Sequence, residues 1–212
     1  MKRLLNIVLL FFISTQLYSQ TYLTSEVIEK AESHLKQAVG EELFNYFKLD
    51  PDSYYEYTNK TGKTKWENIN KGKKTKGNFV NGESIRFILD HPEFQYLYVN
   101  KRISVLLDSD LNLKAEINLD RIPKFLLEGR KSDWLNENQL DKIIENQGLK
   151  KSIKNPIKRI EFDNKEREYI WIVFNTLYEE KCYSDEELLH VDPKTGKVLK
   201  HYEERHYVMH CH

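Results

Sequence analysis

Two stretches of the chain place apolar residues at helical spacing. The first begins at Thr24, a residue type that caps helices, and its apolar positions recur every three or four residues until Gly40. The second follows Asn136, where Gln139 has the spacing of a capping box, and it closes at Gly148. The pattern predicts one amphipathic helix in each half of the chain.

Shorter runs, bounded by turn residues, alternate between apolar and polar positions and predict antiparallel β-strands. The run Tyr169–Leu177 is apolar on both faces, which predicts a strand at the centre of its sheet. Ser84–Leu89 also fits a short helix ahead of His91 and Pro92. In chain order, the predicted strands are Leu43–Phe47, Tyr54–Tyr57, Ser84–Leu89, Phe94–Val99, Ile103–Asp108, Ile157–Phe162, Tyr169–Leu177, Glu187–Val191 and Lys197–Tyr202.

The two halves of the chain repeat the same order of elements. Ser104–Glu116 can be laid over Glu187–Lys200, so that Asp108 falls on Asp192. A lone helix on a few antiparallel strands forms two layers, with one sheet face buried under the helix. The sequence therefore predicts an α+β fold of two similar lobes, each with one helix packed on a three- to four-stranded antiparallel sheet.

Composition along the chain suggests where the lobes begin and end. The segment 121–134 contains Pro123, Gly129 and a run of charge, which is typical of a connection between domains. We expect an N-terminal lobe over residues 20–120 and a C-terminal lobe over residues 135–212.

The first 19 residues have the pattern of a secretory signal peptide. Lys2 and Arg3 form a basic start, Leu4–Ile13 is an apolar core too short for an ordinary membrane span, and Ser19 is a small residue suited to cleavage. An uncleaved N-terminal anchor is the alternative. We expect a mature chain that begins near Gln20, contains no transmembrane segment, and is periplasmic or secreted.

Charge and composition narrow the classes of partner. Charged residues make up 31% of the chain and aromatic residues 12%, as in a folded, well-solvated protein. The whole chain has a formal charge of zero, and removal of Lys2 and Arg3 with the signal peptide leaves a charge of −2. Such a near-neutral protein has no global electrostatic reason to bind nucleic acid.

The chain has two cysteines, and export would place both in an oxidising compartment. If Cys182 and Cys211 lie on neighbouring antiparallel strands, a disulfide between them would fix the C-terminal end. Closing a loop of about 30 residues stabilises a protein by roughly 3 kcal/mol in the chain-entropy model. We predict this disulfide.

The same C-terminal stretch is rich in histidine. His210 and His212 would lie on one side of a strand, and His206 could add a third nitrogen to a zinc or copper site. The simpler interpretation is a solvated terminal strand, because no Asp or Glu stands nearby to support the ligands. We therefore predict neither a metal site nor a cofactor and retain these histidines as weak candidates.

A lysine-rich segment over residues 60–78 is the other candidate for binding. One interpretation is a contact with an acidic membrane, glycan or protein surface; the other is a solvated, mobile hairpin loop. Its lysines alternate with Gly, Thr and Asn, which favours the loop. The candidate contact residues are Lys63, Lys65, Trp66, Lys71, Lys73, Lys74 and Lys76.

The second half of the chain resembles a PepSY-like domain. The resemblance lies in a helix followed by "IKRIEFDNKEREYIWIVF" (Ile157–Phe174) and by the hairpin "LHVDPKTGKVLKHY" (Leu189–Tyr202). The acidic, cysteine-bearing connection Tyr178–Glu187 departs from that family. The resemblance implies a small exported module without catalytic residues, of the type found in propeptides of thermolysin-type peptidases and in cell-envelope proteins. The implied role is binding or inhibition of another protein.

Familiar catalytic motifs are absent from the sequence, including G-x-S-x-G, H-E-x-x-H, glycine-rich phosphate loops and C-x-x-C. The sequence therefore predicts a non-catalytic binding or inhibitory module that acts on a cell-envelope or secreted protein. Two alternatives remain open: a small metal-dependent hydrolase that uses the C-terminal histidines, and a structural or immunity-type protein with one dedicated partner. The oligomeric state is open.

Overall fold

The computed structural model describes residues 20–208. The predicted signal peptide lies outside the described residues and stays a prediction. The chain divides into two compact units. Within the described range, unit 1 comprises residues 20–88 and 102–117, and unit 2 comprises residues 89–101 and 118–208. Residues 89–101 therefore belong to unit 2, although they follow the first unit's strands in the sequence.

The two predicted helices are present. The N-terminal helix ends before Gly40, whose φ of 83° suits glycine, and the second helix ends at Gly148 in the left-handed conformation. The predicted capping box at Asn136 and Gln139 is also formed. None of the helices within residues 20–208 is long and apolar enough to cross a bilayer. The α-helices are α1 (Thr24–Val39), α2 (Glu41–Phe44), α3 (Lys124–Leu127) and α4 (Glu137–Gln147).

Nine strands form two antiparallel sheets within the described residues, which confirms the α+β class. Unit 1 holds a five-stranded sheet, in the order β1-β4-β2-β3 with β5 also paired to β4. Unit 2 holds a four-stranded meander, β6-β7-β8-β9. The strands are β1 (Phe47–Leu49), β2 (Tyr54–Thr58), β3 (Thr64–Asn68), β4 (Asn78–Leu89), β5 (Arg102–Leu107), β6 (Ile157–Asp163), β7 (Glu168–Glu179), β8 (Tyr183–Val191) and β9 (Val198–Tyr207).

In unit 1, the apolar stripe of α1 is buried. Its members Val27, Ala31 and Leu35 are fully shielded from solvent, as their helical spacing predicts. The other side of this core contains Tyr55 and Phe79, whose rings stack with centroids 5.9 Å apart. The apolar period of the sequence is therefore sufficient to locate this core.

A buried carboxylate fixes the predicted turn between β1 and β2. Asp50 is 1% exposed, and it accepts hydrogen bonds from Arg102 Nε at 2.7 Å and from the backbone N–H of Asp52 at 2.9 Å. Burial alone would raise the pKa of Asp50. These hydrogen bonds, together with the charge of Arg86, outweigh burial and lower it.

In unit 2, the central position predicted for Tyr169–Leu177 is confirmed. This run lies in β7, which pairs with β6 on one side and β8 on the other. Trp171 and Val173 are buried, and so is Leu189, which lies opposite Val173 on β8. The meander predicted for the second half is present, whereas the strand order in unit 1 departs from a meander.

Two predicted strands are wrong. Most of Leu43–Phe47 is helix α2 and a turn, and Phe94–Val99 is the end of a short 3-10 helix (Pro92–Phe94) followed by turns. In Phe94–Val99, Phe94 and Tyr96 each pack separately against aromatic residues of unit 2. A short apolar run alone does not distinguish that packing from a strand.

The two aspartates aligned in the sequence make similar turns. Asp108 accepts hydrogen bonds from the N–H groups of Asp110 and Asn112 at 2.8 and 2.9 Å. Asp192 accepts them from Lys194 and Thr195 at 3.0 and 2.6 Å. In each turn the aspartate side chain therefore replaces a backbone acceptor, as short carboxylates commonly do.

Candidate functional site

A pocket of about 240 Å³ opens in unit 2. Its walls are the segment around Pro123 and α3, Trp134, the first residues of β7, and the Asp192–Lys194 turn before β9. Leu135 N–H donates to Pro193 O at 2.6 Å, which ties the segment that carries Trp134 to that turn. The pocket therefore lies where the residues predicted as a connection meet the end of the meander.

Aromatic rings line the pocket. The ring of Trp134 lies 5.2 Å from Phe125 and 5.1 Å from Tyr169, centroid to centroid. Phe94, which is fully buried, lies behind them at 6.0 Å from Trp134 and 5.6 Å from Tyr169. Contacts of this kind hold rings rigidly and leave apolar surface ready to receive a ligand.

Charged residues surround the opening and pair with one another. Arg167 Nε donates to Asp120 at 2.7 Å, and Arg130 Nε donates to Glu128 at 2.6 Å. These pairs leave the rim with charges of both signs at fixed positions. They suit recognition of a polar backbone or a zwitterionic group more than binding of a simple ion.

A third pair joins the rim to the turn before β9. Lys194 Nζ lies 2.8 Å from Asp133 Oδ2, and this hydrogen bond lowers the pKa of Asp133. Asp133 directly precedes Trp134, so the pair helps to fix the tryptophan in the wall. Lys124 is exposed at the mouth of the pocket, and among residues 20–208 it forms no ion pair.

Tyr169 is the deepest ionisable group of the pocket. It is 6% exposed, and its hydroxyl donates to the backbone carbonyl of Arg121 at 2.7 Å. Burial raises the pKa of Tyr169 well above its usual value, and the nearby charge of Arg121 only partly offsets that effect. The phenol therefore stays neutral near pH 7, and the floor of the pocket remains an uncharged surface.

The pocket combines an apolar, aromatic lining with paired charges around it. An apolar floor with a few placed polar groups is the usual form of a ligand site. Tyr169 is the one buried titratable side chain among these pocket residues; it is engaged with a backbone carbonyl and has a pKa far from neutrality. The pocket can receive an apolar or aromatic side chain, while the rim contacts the groups on either side.

A second polar cluster in unit 2 is structural. Glu187 is 4% exposed and accepts hydrogen bonds from Asn175 Nδ2 at 2.7 Å and from the N–H of Lys150 at 2.8 Å, and His201 Nε2 lies 2.9 Å away. Burial opposes ionisation of Glu187, but these hydrogen bonds outweigh it and lower its pKa. The carboxylate thereby ties β7, β8 and β9 to the segment after α4.

The lysine-rich segment is more ordered than the sequence predicts. It contains β3 and a 3-10 helix (Ile69–Lys71), and it buries Ile69 and Thr75 completely or nearly so. The predicted hairpin is present, formed by β2 and β3, but Thr64–Asn68 is a strand and not a loop. The apolar pattern does not predict β3, because an exposed edge strand needs no apolar face.

The candidate contact residues of this segment are spread over several positions. Lys63 lies in the turn before β3, Lys65 and Trp66 lie in β3, and Lys71 lies in the 3-10 helix. Lys73, Lys74 and Lys76 precede β4, and Lys76 Nζ is 2.9 Å from Glu67. All of these side chains are exposed, and they are distributed over the β2–β3 turn, β3, the 3-10 helix and the segment before β4.

Of the three candidate metal ligands, only His206 lies within the described residues. His206 lies on β9, is exposed, and has its ring 6.5 Å from that of Phe174. His210 and His212 lie outside the described residues. Within residues 20–208, no group of three or more His, Cys, Asp or Glu is placed to hold a metal ion.

The predicted disulfide also reaches beyond the described range. Cys211 lies outside it, so the disulfide stays a prediction. Cys182 directly precedes β8, and its carbonyl accepts the N–H of Val208 at 2.9 Å, next to the paired residues Tyr183 and Tyr207.

Comparison of the chain with protein-family models, with curated proteins and with solved structures found no match. The resemblance to PepSY-like domains therefore stays a hypothesis from the sequence. The pocket residues were not among the sequence candidates. The signal that could have located them is Trp134, a large aromatic residue in a segment otherwise typical of an exposed connection.

Proposed function

We propose that this chain is an exported, non-catalytic binding or inhibitory module that acts on a cell-envelope or secreted protein. The pocket of unit 2 is the proposed contact site. The observation that carries the proposal is the aromatic floor of Phe125, Trp134 and Tyr169 under a rim of paired charges. Hot spots of protein interfaces commonly have an apolar or aromatic anchor that fills such a pocket.

The partner is expected to insert one apolar or aromatic side chain. A cavity of about 240 Å³ is below the usual size of drug-like ligand sites, but it accommodates a single large side chain. Arg130 and Lys194 can donate hydrogen bonds to backbone carbonyls or to a carboxylate beside that side chain, and Asp120 can accept hydrogen bonds from N–H groups. The lysine-rich segment would add weaker, long-range attraction to an acidic partner.

The test is capture of a partner by the mature chain, residues 20–212, from the cell envelope of the organism that produces it. Wild-type protein should retain a partner that Trp134→Ala loses. A second variant, Lys124→Trp, adds a ring at the mouth and should block the pocket with little effect on folding, because Lys124 is exposed and makes no ion pair among residues 20–208. Equal capture by all three proteins would exclude the pocket as the contact site.

Export and the disulfide are proposed with this function. Intact mass of the exported protein should correspond to a chain that begins near Gln20. The same sample should contain no free thiol, because Cys182 and Cys211 would be joined. The proximity of Cys182 to Val208 supports this pairing, since Cys211 follows Val208 by three positions. Retention of residues 1–19, or two free thiols, would contradict the respective proposal.

A further inference from the structure

Strand β9 presents a long free edge. It runs over ten residues, Val198–Tyr207, at the end of the unit 2 sheet, and within residues 20–208 it pairs with β8 alone. All its side chains except Val198 are exposed. An edge of this length offers unpaired backbone N–H and C=O groups to another strand, and natural proteins usually protect or use such edges.

Several charges of β9 already have partners in the same unit. Arg205 Nε donates to Asp185 at 2.6 Å, His201 lies against Glu187, and Glu203 is ion-paired with Lys150. Lys200 and Glu204, in contrast, form no ion pair within the described residues. They lie four residues apart, on the same face of β9 and on either side of Tyr202, because side chains alternate along a strand.

We propose that β9 pairs in antiparallel fashion with β9 of a second copy of this chain, about a two-fold axis at Tyr202. A two-fold axis perpendicular to a continuous sheet keeps each face on its own side, so one residue must lie directly opposite its own copy, with the axis midway between them. With Tyr202 on the axis, Lys200 of each copy lies opposite Glu204 of the other. His201 likewise lies opposite Glu203. Each pairing occurs twice because the interface is symmetric.

The neighbouring registers are less favourable. An axis at Glu203 places two Glu203 side chains against each other and Lys200 against His206. An axis at Glu204 opposes two Glu204 side chains and places Lys200 against Val208. Like charges directly opposite each other destabilise a strand pair, whereas opposite charges stabilise it. The Tyr202 register provides partners for both unpaired charges.

The cations of the other edge strand of this sheet, β6, are engaged within unit 2. Lys158 is held by Asp141 at 3.0 Å, and the Arg159 guanidinium lies 4.5 Å from the ring centroid of Tyr98 and 5.3 Å from that of Phe174. The cations of β6 therefore serve its own unit, whereas Lys200 and Glu204 of β9 have no ion-pair partner within the described residues. This inference is independent of the proposed pocket function.

The test is analytical ultracentrifugation of residues 20–212 over a range of concentrations. We expect a monomer–dimer equilibrium in the wild-type protein. Lys200→Glu should weaken dimerisation by at least about tenfold, and so should Glu204→Lys, because each replaces two attractive cross-strand pairs with two repulsive ones. The double variant, Lys200→Glu with Glu204→Lys, should restore wild-type dimerisation because it re-creates the pairs in reverse.

Lys165→Glu is the matched control for net charge, since Lys165 is highly exposed and lies in the turn between β6 and β7. It should dimerise like the wild type. A protein that is monomeric at every concentration would overturn the proposal. A dimer that neither single variant weakens, or that the double variant fails to restore, would assign the contact to another surface or register.

Discussion

The lysine-rich segment of unit 1 and the pocket of unit 2 each place a tryptophan among charged residues, but they use it differently. Trp66 is 64% exposed on the edge strand β3, and its indole N–H donates to Glu56 at 2.5 Å. Trp134 is half-buried, and its ring contacts Phe94, Tyr96, Phe125 and Tyr169. Trp66 is a largely exposed side chain on an edge strand, whereas Trp134 forms part of the wall of a cavity.

The charged residues around the two tryptophans also differ in how they are paired. The lysines of the lysine-rich segment are exposed, and one of them, Lys76, is ion-paired with Glu67. The rim of the pocket pairs Arg167 with Asp120 and Lys194 with Asp133. Exposed charges attract a partner over distance and are screened by salt, whereas a rigid cavity determines which side chain fits. Under the proposed function, we expect unit 2 to confer specificity and unit 1 to contribute only to the rate of association.

The largest expected effect is on partner affinity. Trp134→Ala should weaken binding by about 2 kcal/mol or more, roughly thirtyfold, because it removes an aromatic wall of the cavity. Trp66→Ala, the matched control, should weaken it by less than about 1 kcal/mol because this ring is mostly in solvent. Calorimetric titration against the captured partner gives both values. Equal losses would remove the distinction between the two surfaces.

A substitution at Tyr169 in the pocket should have a smaller effect, on the free energy of unfolding. Tyr169→Phe removes the hydrogen bond to Arg121 O and leaves that carbonyl without its donor, which should cost about 1 kcal/mol of unfolding free energy. Tyr98→Phe is the control, since Tyr98 is 66% exposed and keeps its ring beside Arg159. Urea denaturation should separate the two variants. A Tyr169→Phe protein as stable as the control would show that this bond contributes nothing.

Alkaline pH should distinguish two buried tyrosines, one in each unit. Burial raises the pKa of both Tyr55 and Tyr169, but Tyr55 accepts the N–H of Lys76 at 2.9 Å, which favours its phenolate, whereas Tyr169 donates to a carbonyl. A raised folded pKa contributes stability that is complete below the unfolded value of about 10 and is lost as pH rises through the folded pKa.

Above about pH 10, the unfolding free energy should therefore decrease less steeply in Tyr169→Phe than in Tyr55→Phe. The measurement is the urea midpoint of each variant from pH 8 to 11, with ultraviolet absorbance to follow tyrosine ionisation. An equal or larger change in the Tyr55→Phe protein would contradict the assignment of Tyr169 as the more strongly perturbed phenol.

The smallest expected effect concerns the hairpin lysines. Lys63→Glu with Lys65→Glu should reduce the association rate for an acidic partner a few-fold at low salt and leave the dissociation rate nearly unchanged. The difference should vanish near 0.5 M salt because the screening length is then only about 4 Å. Surface plasmon resonance at two salt concentrations provides the comparison. A large change in dissociation rate would place the hairpin inside the contact.

Local sequence features predicted much of unit 2. The capping box at Asn136, the doubly apolar run in β7 and the turn from Asp192 to Gly196 each depend on residues a few positions apart, and each is present. The pattern was misleading for Phe94–Val99, because those aromatic residues pack singly around Trp134 and Trp171 instead of alternating across a strand.

The pocket could not be predicted in the same way. Phe125, Trp134 and Tyr169 come from separate segments that meet only in the folded unit, and no spacing in the sequence relates them. The edge strand β3 was not predicted because, apart from Trp66, its residues are polar. The spacing of apolar residues indicates which side of an element packs on a core. It does not identify exposed strands or cavities formed by distant segments.

Site-specific photo-crosslinking tests the central claim most directly. A photoreactive phenylalanine analogue at position 124, at the mouth of the pocket, should form a covalent adduct with a single envelope or secreted protein when the chain is exported from living cells. The same analogue at position 65, on the lysine-rich hairpin, should give weaker adducts that disappear at high salt. Adducts from position 65 alone, or none from position 124, would contradict the assignment of the unit 2 pocket as the binding site.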